Sequence, residues 1–310
     1  MFSIVINIII LVCLCGILLI TISFLEINKL NVCRYEIRSN KLKSEHRFVY
    51  ISDLHEKEFG EGNEELLKKI DELNPDFILI GGDLIVSHKV HKYRKKVSFD
   101  EVDTALQLLD KLRAKYTIYF SYGNHEKRLM EKAGLEDCTD VVKYDKNIQD
   151  IYIPAALKLK RALDNIVVLD DDVVSFEDFD ITGVTLPMSY YRPLLFKERK
   201  ELTEGDIRSH VGEMSQEKFH ITMIHTPMYY KEVIGHGADL VLSGHYHGGT
   251  IRLPHFGALM TPQFQFLVKE CAGEFRYGDG TLIVSRGLGT HSINIRINDL
   301  PEISFVTIKP

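Results

Sequence analysis

The hydrophobic pattern divides the chain into one long apolar N-terminal run and a remainder of shorter alternating segments. Residues 1–25 carry no charged side chain, and the 22 residues from Ile4 to Leu25 form a nearly unbroken apolar run. As a helix they would extend roughly 33 Å at about 1.5 Å per residue, enough to cross a bilayer. No lysine or arginine precedes Ile4, whereas a signal peptide usually begins with positive charge. We predict a retained transmembrane helix over residues 1–25, with a cleaved signal or a buried core helix as alternatives.

After residue 45, short apolar runs typical of buried strands alternate with segments of helical spacing. Strands are predicted at residues 48–52, 77–80, 116–121, 166–169, 180–183, 220–224, 240–242, 282–284 and 303–308. Helices are predicted at residues 66–73, 98–112, 155–164 and 228–235. Ser98 followed by Glu101 resembles a capping box at the start of the second of these helices. Because no repeat or Pro/Gly/Ser-rich linker interrupts residues 46–310, we predict one mixed α/β sandwich domain there.

Residues 26–45 read as a basic juxtamembrane linker between the helix and this domain. The basic side chains just after the apolar run are Lys29, Arg34, Arg38, Lys41, Lys43 and Arg47. The positive-inside rule then places the domain in the cytoplasm. The alternative is a linker that contacts anionic lipid from either face of the membrane. Five cysteines without a disulfide pattern favour a reducing compartment.

The overall charge narrows the range of partners. Lys plus Arg total 38 and Asp plus Glu total 44, which gives a net charge of −6. A general nucleic-acid binder would need a basic face to displace phosphate counterions, so we expect no nucleic-acid partner. The fractions of hydrophobic (45%) and charged (26%) residues exclude a mostly disordered chain.

Five of the predicted strands are followed directly by Asp, Asn or His. The segments are Asp53-Leu-His55, Gly82-Asp83, Gly123-Asn124-His125, His225 and Gly244-His245-Tyr-His247. Open α/β sheets place ligand crevices at the carboxyl ends of their strands, so we expect these side chains to meet. In extended chain, residues two apart face the same side, which would pair Asp53 with His55. Each segment alone is usually structural, but the ordered set indicates a site for Mn, Fe, Zn, Co or Mg.

This ordered set resembles the motifs of the calcineurin-like metallophosphoesterase superfamily. Two further segments, Gly248-Gly-Thr-Ile-Arg-Leu-Pro254 and Ser285-Arg-Gly-Leu-Gly-Thr290, look like its bacterial branch of membrane-anchored phosphohydrolases. The resemblance covers nearly all of residues 46–305. It implies a four-layer αββα fold, in which a mixed-sheet β-sandwich is flanked by helices.

The resemblance also implies a role for each residue. One of two divalent metal ions would be held by Asp53, His55, Asp83 and His247, and the other by Asp83, Asn124, His225 and His245. Asp83 would bridge the ions, and His125 would stabilise or protonate the leaving oxygen without being a ligand. Two ions about 3.5–4 Å apart would offset phosphoryl charge while a bridging hydroxide attacks in line. The metal could be Mn, Fe, Zn or Co.

Three residues depart from the usual pattern of the family: Glu126, where Asp is frequent, Thr250, where Gln is common, and His291. None is an expected ligand, so the departures bear on substrate preference and on tuning of the site.

We therefore expect a membrane-anchored phosphoesterase that hydrolyses a phosphate ester or pyrophosphate. The anchor, the basic segment 88–96 and the apolar segment 188–196, which could form a lip that accepts a lipid chain, favour a lipid-linked or membrane-near substrate. The alternatives for the two segments are a solvated loop at 88–96 and a loop packed on the core at 188–196. The alternatives are a soluble-nucleotide or general phosphodiesterase and, in another class, a non-catalytic membrane scaffold stabilised by metal.

Overall fold

Helices and strands alternate through the first two thirds of the chain, and strands dominate the last third. The computed structural model describes residues 2–88, 102–136, 144–192, 200–253, 255–290 and 294–310. The helices are α1 (Phe2–Ile27), α2 (Glu64–Leu73), α3 (Asp103–Arg113), α4 (Asn124–Lys132), α5 (Lys146–Leu163), α6 (Glu204–Val211) and α7 (Tyr230–Gly235). The strands are β1 (Asn31–Arg38), β2 (His46–Ile51), β3 (Phe77–Ile80), β4 (Ile118–Phe120), β5 (Val167–Val168), β6 (Asp172–Ser175), β7 (Phe179–Val184), β8 (Phe219–Ile224), β9 (Leu240–Ser243), β10 (Arg252–Leu253), β11 (Gly257–Met260), β12 (Phe266–Val268), β13 (Gly273–Tyr277), β14 (Gly280–Val284) and β15 (Glu302–Lys309).

Two six-stranded mixed sheets carry the fold. Their strand orders are β1-β15-β2-β3-β4-β5 and β13-β14-β9-β8-β7-β6, and β10-β11-β12 form a small third sheet. Strands β2 to β5 run parallel, while β15 runs antiparallel to β2. Strands β7, β8, β9 and β14 are also parallel, with β6 and β13 as antiparallel edges. The predicted mixed α/β class is confirmed.

Apolar side chains lie between the two large sheets and on the outer face of each. Phe48 and Leu79 of the first sheet meet Ile221 and Leu242 of the second in one buried cluster. The outer face of the first sheet packs against α2, α3, α4 and α5, and that of the second against α6 and α7. The result is the expected order helix, sheet, sheet, helix. Central strands such as β3, buried on both faces, therefore read as unbroken apolar runs.

Two predictions differ clearly from the structure. Residues 31–38, read as part of the linker 26–45, form β1, which pairs in parallel with β15 of the first sheet. Helix α5 begins at Lys146 and continues through Pro154, although the prediction began it at residue 155. The capping residues Ser98 and Glu101 lie outside the described residues, as do positions 89–96, 193–196 and 291 of the segments singled out above.

The N-terminal helix is long and apolar enough to cross a membrane. A 24-residue span from Ile4 to Ile27 meets this test of length and composition, which a signal sequence also passes. Only its C-terminal end packs on the domain: Ser23 and Ile27 are buried, while most side chains before them are exposed. Leu30 then joins the core, and β1 begins at Asn31.

Candidate metal centre

The carboxyl ends of β2, β3, β4, β8 and β9 converge on one buried group of polar side chains. A first cluster contains Asp53, His55 and His247, whose candidate ligand atoms all lie within 4.8 Å of one another. The Nε2 atoms of His55 and His247 are 3.1 Å apart. His247 Nε2 is 3.4 Å from Asp53 Oδ1. Two imidazole nitrogens at this separation require a proton or a cation between them.

A second cluster contains Asp83, His225 and His245. His225 Nε2 lies 2.9 Å from Asp83 Oδ2, and the same carboxylate oxygen is 4.0 Å from His55 Nε2 of the first cluster. Asp83 therefore lies between the two clusters. Asn124, the first residue of α4, is also buried here, and its Oδ1 has no hydrogen-bond partner in the described part of the chain.

The backbone turns sharply at most of these side chains. The residues with left-handed φ, from 48° to 64°, are Asp53, His55, Asp83, His245 and His247. The expectation that Asp53 and His55 share a site through extended alternation was therefore wrong in its geometry, although both lie in the first cluster. Non-glycine residues adopt this conformation at a cost, and such residues concentrate at functional sites.

Gly82 permits the close approach that brings β3 and β4 together here. Its φ is +82°, and a Cβ at this position would overlap the backbone nitrogen of Gly123. A side chain at residue 82 would push the Asp83 turn away from the turn before Asn124. The Gly82-Asp83 pair of the sequence motif thus has a steric reason.

Glu126 organises the loop that carries Asp83. Its Oε2 accepts hydrogen bonds from the amides of Asp83 (2.8 Å) and Gly123 (3.1 Å). Its Oε1 accepts from the amides of Leu84 (2.8 Å) and Ile85 (3.4 Å). Burial and the nearby Asp83 charge raise the pKa of Glu126 to about 7, and the amide donors oppose this shift. Sequence reasoning noted Glu126 only as a departure, yet its place three residues after Gly123 is the acceptor position of a capping box.

Hydrogen bonds at Nδ1 separate the histidines into two kinds. His225 Nδ1 faces the carbonyl of Gly81 at 2.8 Å, and His247 Nδ1 faces the carbonyl of Gly289 at 3.4 Å. A carbonyl only accepts, so the proton of each neutral ring sits on Nδ1, and Nε2 offers a lone pair. This is the arrangement that metal-ligating histidines usually show.

His125 has the opposite arrangement. Its Nδ1 accepts a hydrogen bond from the amide of Ser87 at 2.7 Å. The proton of its neutral ring therefore sits on Nε2, which lies 4.0 Å from Asp83 Oδ2. Proximity alone would group His125 with His55 and Asp83 as a possible ligand. The Ser87 amide instead prepares Nε2 as a proton donor.

Charges within the centre are strongly interdependent. Burial lowers the pKa of His225, but Asp83 outweighs burial and raises it to about 10. Burial raises the pKa of Asp83, but the His225 and His125 charges hold it well below its usual range. The pKa of Asp53 is raised to about 6, chiefly by burial. These opposite shifts and the 2.9 Å contact favour a charged His225 paired with an ionised Asp83.

The donor set fits divalent cations. It combines buried carboxylates, imidazole Nε2 atoms and the Asn124 amide oxygen, which suit borderline ions such as Mn, Fe, Zn and Co. Tyr191, missed by the sequence reasoning, borders the second cluster with its ring 5.2 Å from that of His245. Its burial identifies Met188–Tyr191 as a segment packed on the core, the alternative to a lipid-accepting lip.

Comparisons with known proteins identify the family of the chain. A family model described as calcineurin-like phosphoesterase matches residues 46–249. An uncharacterized metallophosphoesterase of Bacillus subtilis, YkuE, is 25% identical over 274 residues, covering 85% of this chain and 79% of its own. One from Aquifex aeolicus is 26% identical over 300 residues, covering 95% and 97%. Among solved structures, purple acid phosphatase PPD1 from yellow lupin matches with 13% identity and a TM-score of 0.36, covering 67% of this chain and 39% of that one.

Proposed function

This chain belongs to the calcineurin-like phosphoesterase family and is a metal-dependent phosphohydrolase, and on that premise we propose that it uses two divalent ions to hydrolyse a lipid-linked phosphate ester or pyrophosphate. The position of Asp83 between two ligand clusters is the observation that carries the two-ion proposal. Mn, Fe, Zn and Co are the candidate ions.

The proposed ligands divide between the two clusters. One ion would be held by Asp53, His55, Asp83 and His247, and the other by Asp83, Asn124, His225 and His245. Bound ions of this kind supply charge compensation for the phosphoryl oxygens and make water acidic enough to react near neutral pH.

The remaining steps belong to the chain itself. His125 donates its Nε2 proton to the leaving oxygen, and the Ser87 amide keeps that proton on Nε2. Glu126 fixes the position of the Asp83 turn, because its carboxylate accepts hydrogen bonds from the amides of Asp83 and Leu84. Tyr191 excludes water from the side of His245.

The membrane part of the proposal rests on α1. We propose that it is retained as an anchor and that the domain faces the cytoplasm, by the positive-inside rule. An anchored enzyme meets lipid-linked esters at high local concentration, which favours them over freely diffusing nucleotides.

Replacing Asp83 tests the two-ion site. Asp83→Ala in the full-length, detergent-solubilised protein should lower hydrolysis of bis(4-nitrophenyl) phosphate on the order of 100-fold or more. Metal content by mass spectrometry should fall with it. Asp110→Ala, which removes an exposed carboxylate on α3, is the matched control and should change neither. Full activity in Asp83→Ala would contradict the proposal that Asp83 is a ligand shared by two ions.

Phosphate release from a lipid extract tests the substrate class. The full-length protein should release phosphate from the extract, and Asp83→Ala should not. Hydrolysis confined to soluble nucleotides would exclude the lipid-linked substrate while leaving the phosphohydrolase intact.

A further inference from the structure

The small sheet β10-β11-β12 and its turns expose a group of large apolar side chains, here called the apolar sheet surface. Its members are Leu253, Phe256, Leu259, Phe264, Phe266 and Leu267. Outside α1, these are six of the eleven large hydrophobic side chains exposed in the described part of the chain. Phe256 and Phe266 are 61% and 60% exposed. Contiguous apolar patches of this kind mark contact with another protein or a membrane.

Other side chains of the small sheet pack next to the metal centre. Ala258 of β11 is buried against Gly249, in the turn that begins with His247. Val268 of β12 packs with Tyr246. The Tyr246 hydroxyl donates to Gln265 Oε1 at 2.8 Å. The sheet therefore holds a fixed position next to the metal centre.

The same sheet is linked to the end of α1 by a short segment, residues 296–299. The amide of Arg252 donates to the Ile297 carbonyl at 3.0 Å, and the amide of Ile297 donates to the Thr250 carbonyl at 3.0 Å. The neighbouring Arg296 amide donates to Ser23 Oγ at 3.0 Å. The apolar sheet surface thus lies on an element fastened to the point where the apolar helix meets the domain.

The charged residues within the sequence of the small sheet also fit a lipid partner. The chain carries no Asp or Glu between Asp239 and Glu270, while Arg252 and Lys269 lie within that interval. An anionic headgroup layer repels carboxylates and attracts such cations.

We infer that the apolar sheet surface docks on the bilayer beside α1, with its phenylalanines at the boundary of headgroups and acyl chains. The inference rests on the proposed anchoring by α1. Because β11 packs on the turn that carries His247, docking holds the metal centre at the membrane surface. The protein then contacts the bilayer, which holds the proposed substrate, at two places: the helix α1 and the small sheet.

Tryptophan fluorescence tests this directly, because the chain contains no tryptophan. Phe266→Trp and Phe256→Trp, each in the full-length protein, are reconstituted into phosphatidylcholine–phosphatidylglycerol vesicles with and without acyl-brominated lipid. We expect quenching of about twofold or more at both positions, since aromatic side chains settle at this interface. Leu157→Trp, exposed on α5, is the matched control and should be unaffected.

Equal quenching at residues 157, 256 and 266 would overturn the docking surface, as would blue-shifted but unquenched emission, which indicates contact with a second copy of the chain. Flotation of the same vesicles separates the two proposals. If the protein does not float, the anchor and the docking surface both fail. If it floats and is quenched but releases no phosphate from lipid, docking stands and the lipid-linked substrate fails.

Discussion

A single backbone amide sets the role of His125. The Ser87 amide occupies Nδ1, so the ring can hold a proton at Nε2 but cannot offer that atom to a cation without losing this hydrogen bond. At His225 the arrangement is reversed: the Gly81 carbonyl accepts from Nδ1, so Nε2 is the ring nitrogen left for a cation. Two histidines thus differ in which ring nitrogen carries the proton of the neutral form, because one neighbouring backbone group is a donor and the other an acceptor.

Substituting His125 should therefore slow turnover without removing metal. His125→Ala should lower kcat by about 100- to 10,000-fold for an alkyl phosphodiester, the range of general acid catalysis. The loss should be smaller for a 4-nitrophenyl ester, whose leaving group needs little protonation. His225→Ala is the contrasting variant and should lose metal. Metal loss in His125→Ala would show that it is a ligand.

Glu126 should contribute to stability as well as to the site. Both carboxylate oxygens of Glu126 accept hydrogen bonds from backbone amides, so Glu126→Gln would place an NH₂ group against an N–H donor. We expect a loss of about 1–3 kcal/mol in the free energy of unfolding, measured with denaturant. Glu136→Gln, which removes a partly exposed ion pair with Lys127, should cost less than about 1 kcal/mol. Equal stabilities for the two variants would contradict the role of Glu126.

At the scale of elements, the apolar runs predicted the central strands because a strand that is buried on both faces appears in the sequence as an unbroken apolar run. Helix α5 is longer than predicted, because it begins at Lys146 and continues through Pro154. Pro154 lies on an exposed face, where water can bond the freed carbonyl. Strand β1 was read as linker from its charges. Its alternation of exposed Arg34 and Glu36 with Tyr35 and Ile37 was the overlooked strand signal.

The polar residues at the strand ends predicted which side chains meet in the metal centre, but not the geometry in which they meet. Residue order placed Asp83, Asn124 and His225 at neighbouring strand ends. The left-handed turns and the Glu126 clamp depend on contacts between segments about 40 residues apart, which local pattern does not encode.

One element-level contact should respond to pH. His210 on α6 meets Asp171 with 2.6 Å between Nδ1 and Oδ2, and this hydrogen bond raises the His210 pKa against the effect of burial. The stabilisation should be complete below the unfolded-state pKa of about 6.5 and disappear as pH rises through the higher folded-state pKa. The Tm difference between wild type and His210→Ala should shrink over that rise. Asp171→Asn should abolish this pH dependence, and a constant difference would contradict the pair.

At the scale of the whole molecule, bound ions should stabilise the fold. The centre joins strands of both large sheets, so ions that bind only the folded chain add to its stability. At free ion 100-fold above Kd this is about 2.7 kcal/mol, or roughly 5 °C in Tm. EDTA should lower Tm and Mn²⁺ should restore it, whereas Asp83→Ala should respond less. A wild-type Tm indifferent to both additions would exclude a structural contribution of metal.

The short connection between α1 and β1 has a kinetic consequence. Three residues, 28–30, separate the helix from the first strand, and Leu30 is already in the core. With so little slack, an anchored domain keeps a constant height above its own leaflet and searches in two dimensions. Its rate should then follow the mole fraction of substrate among the lipids around it, and diluting the vesicles at fixed composition should leave turnover unchanged.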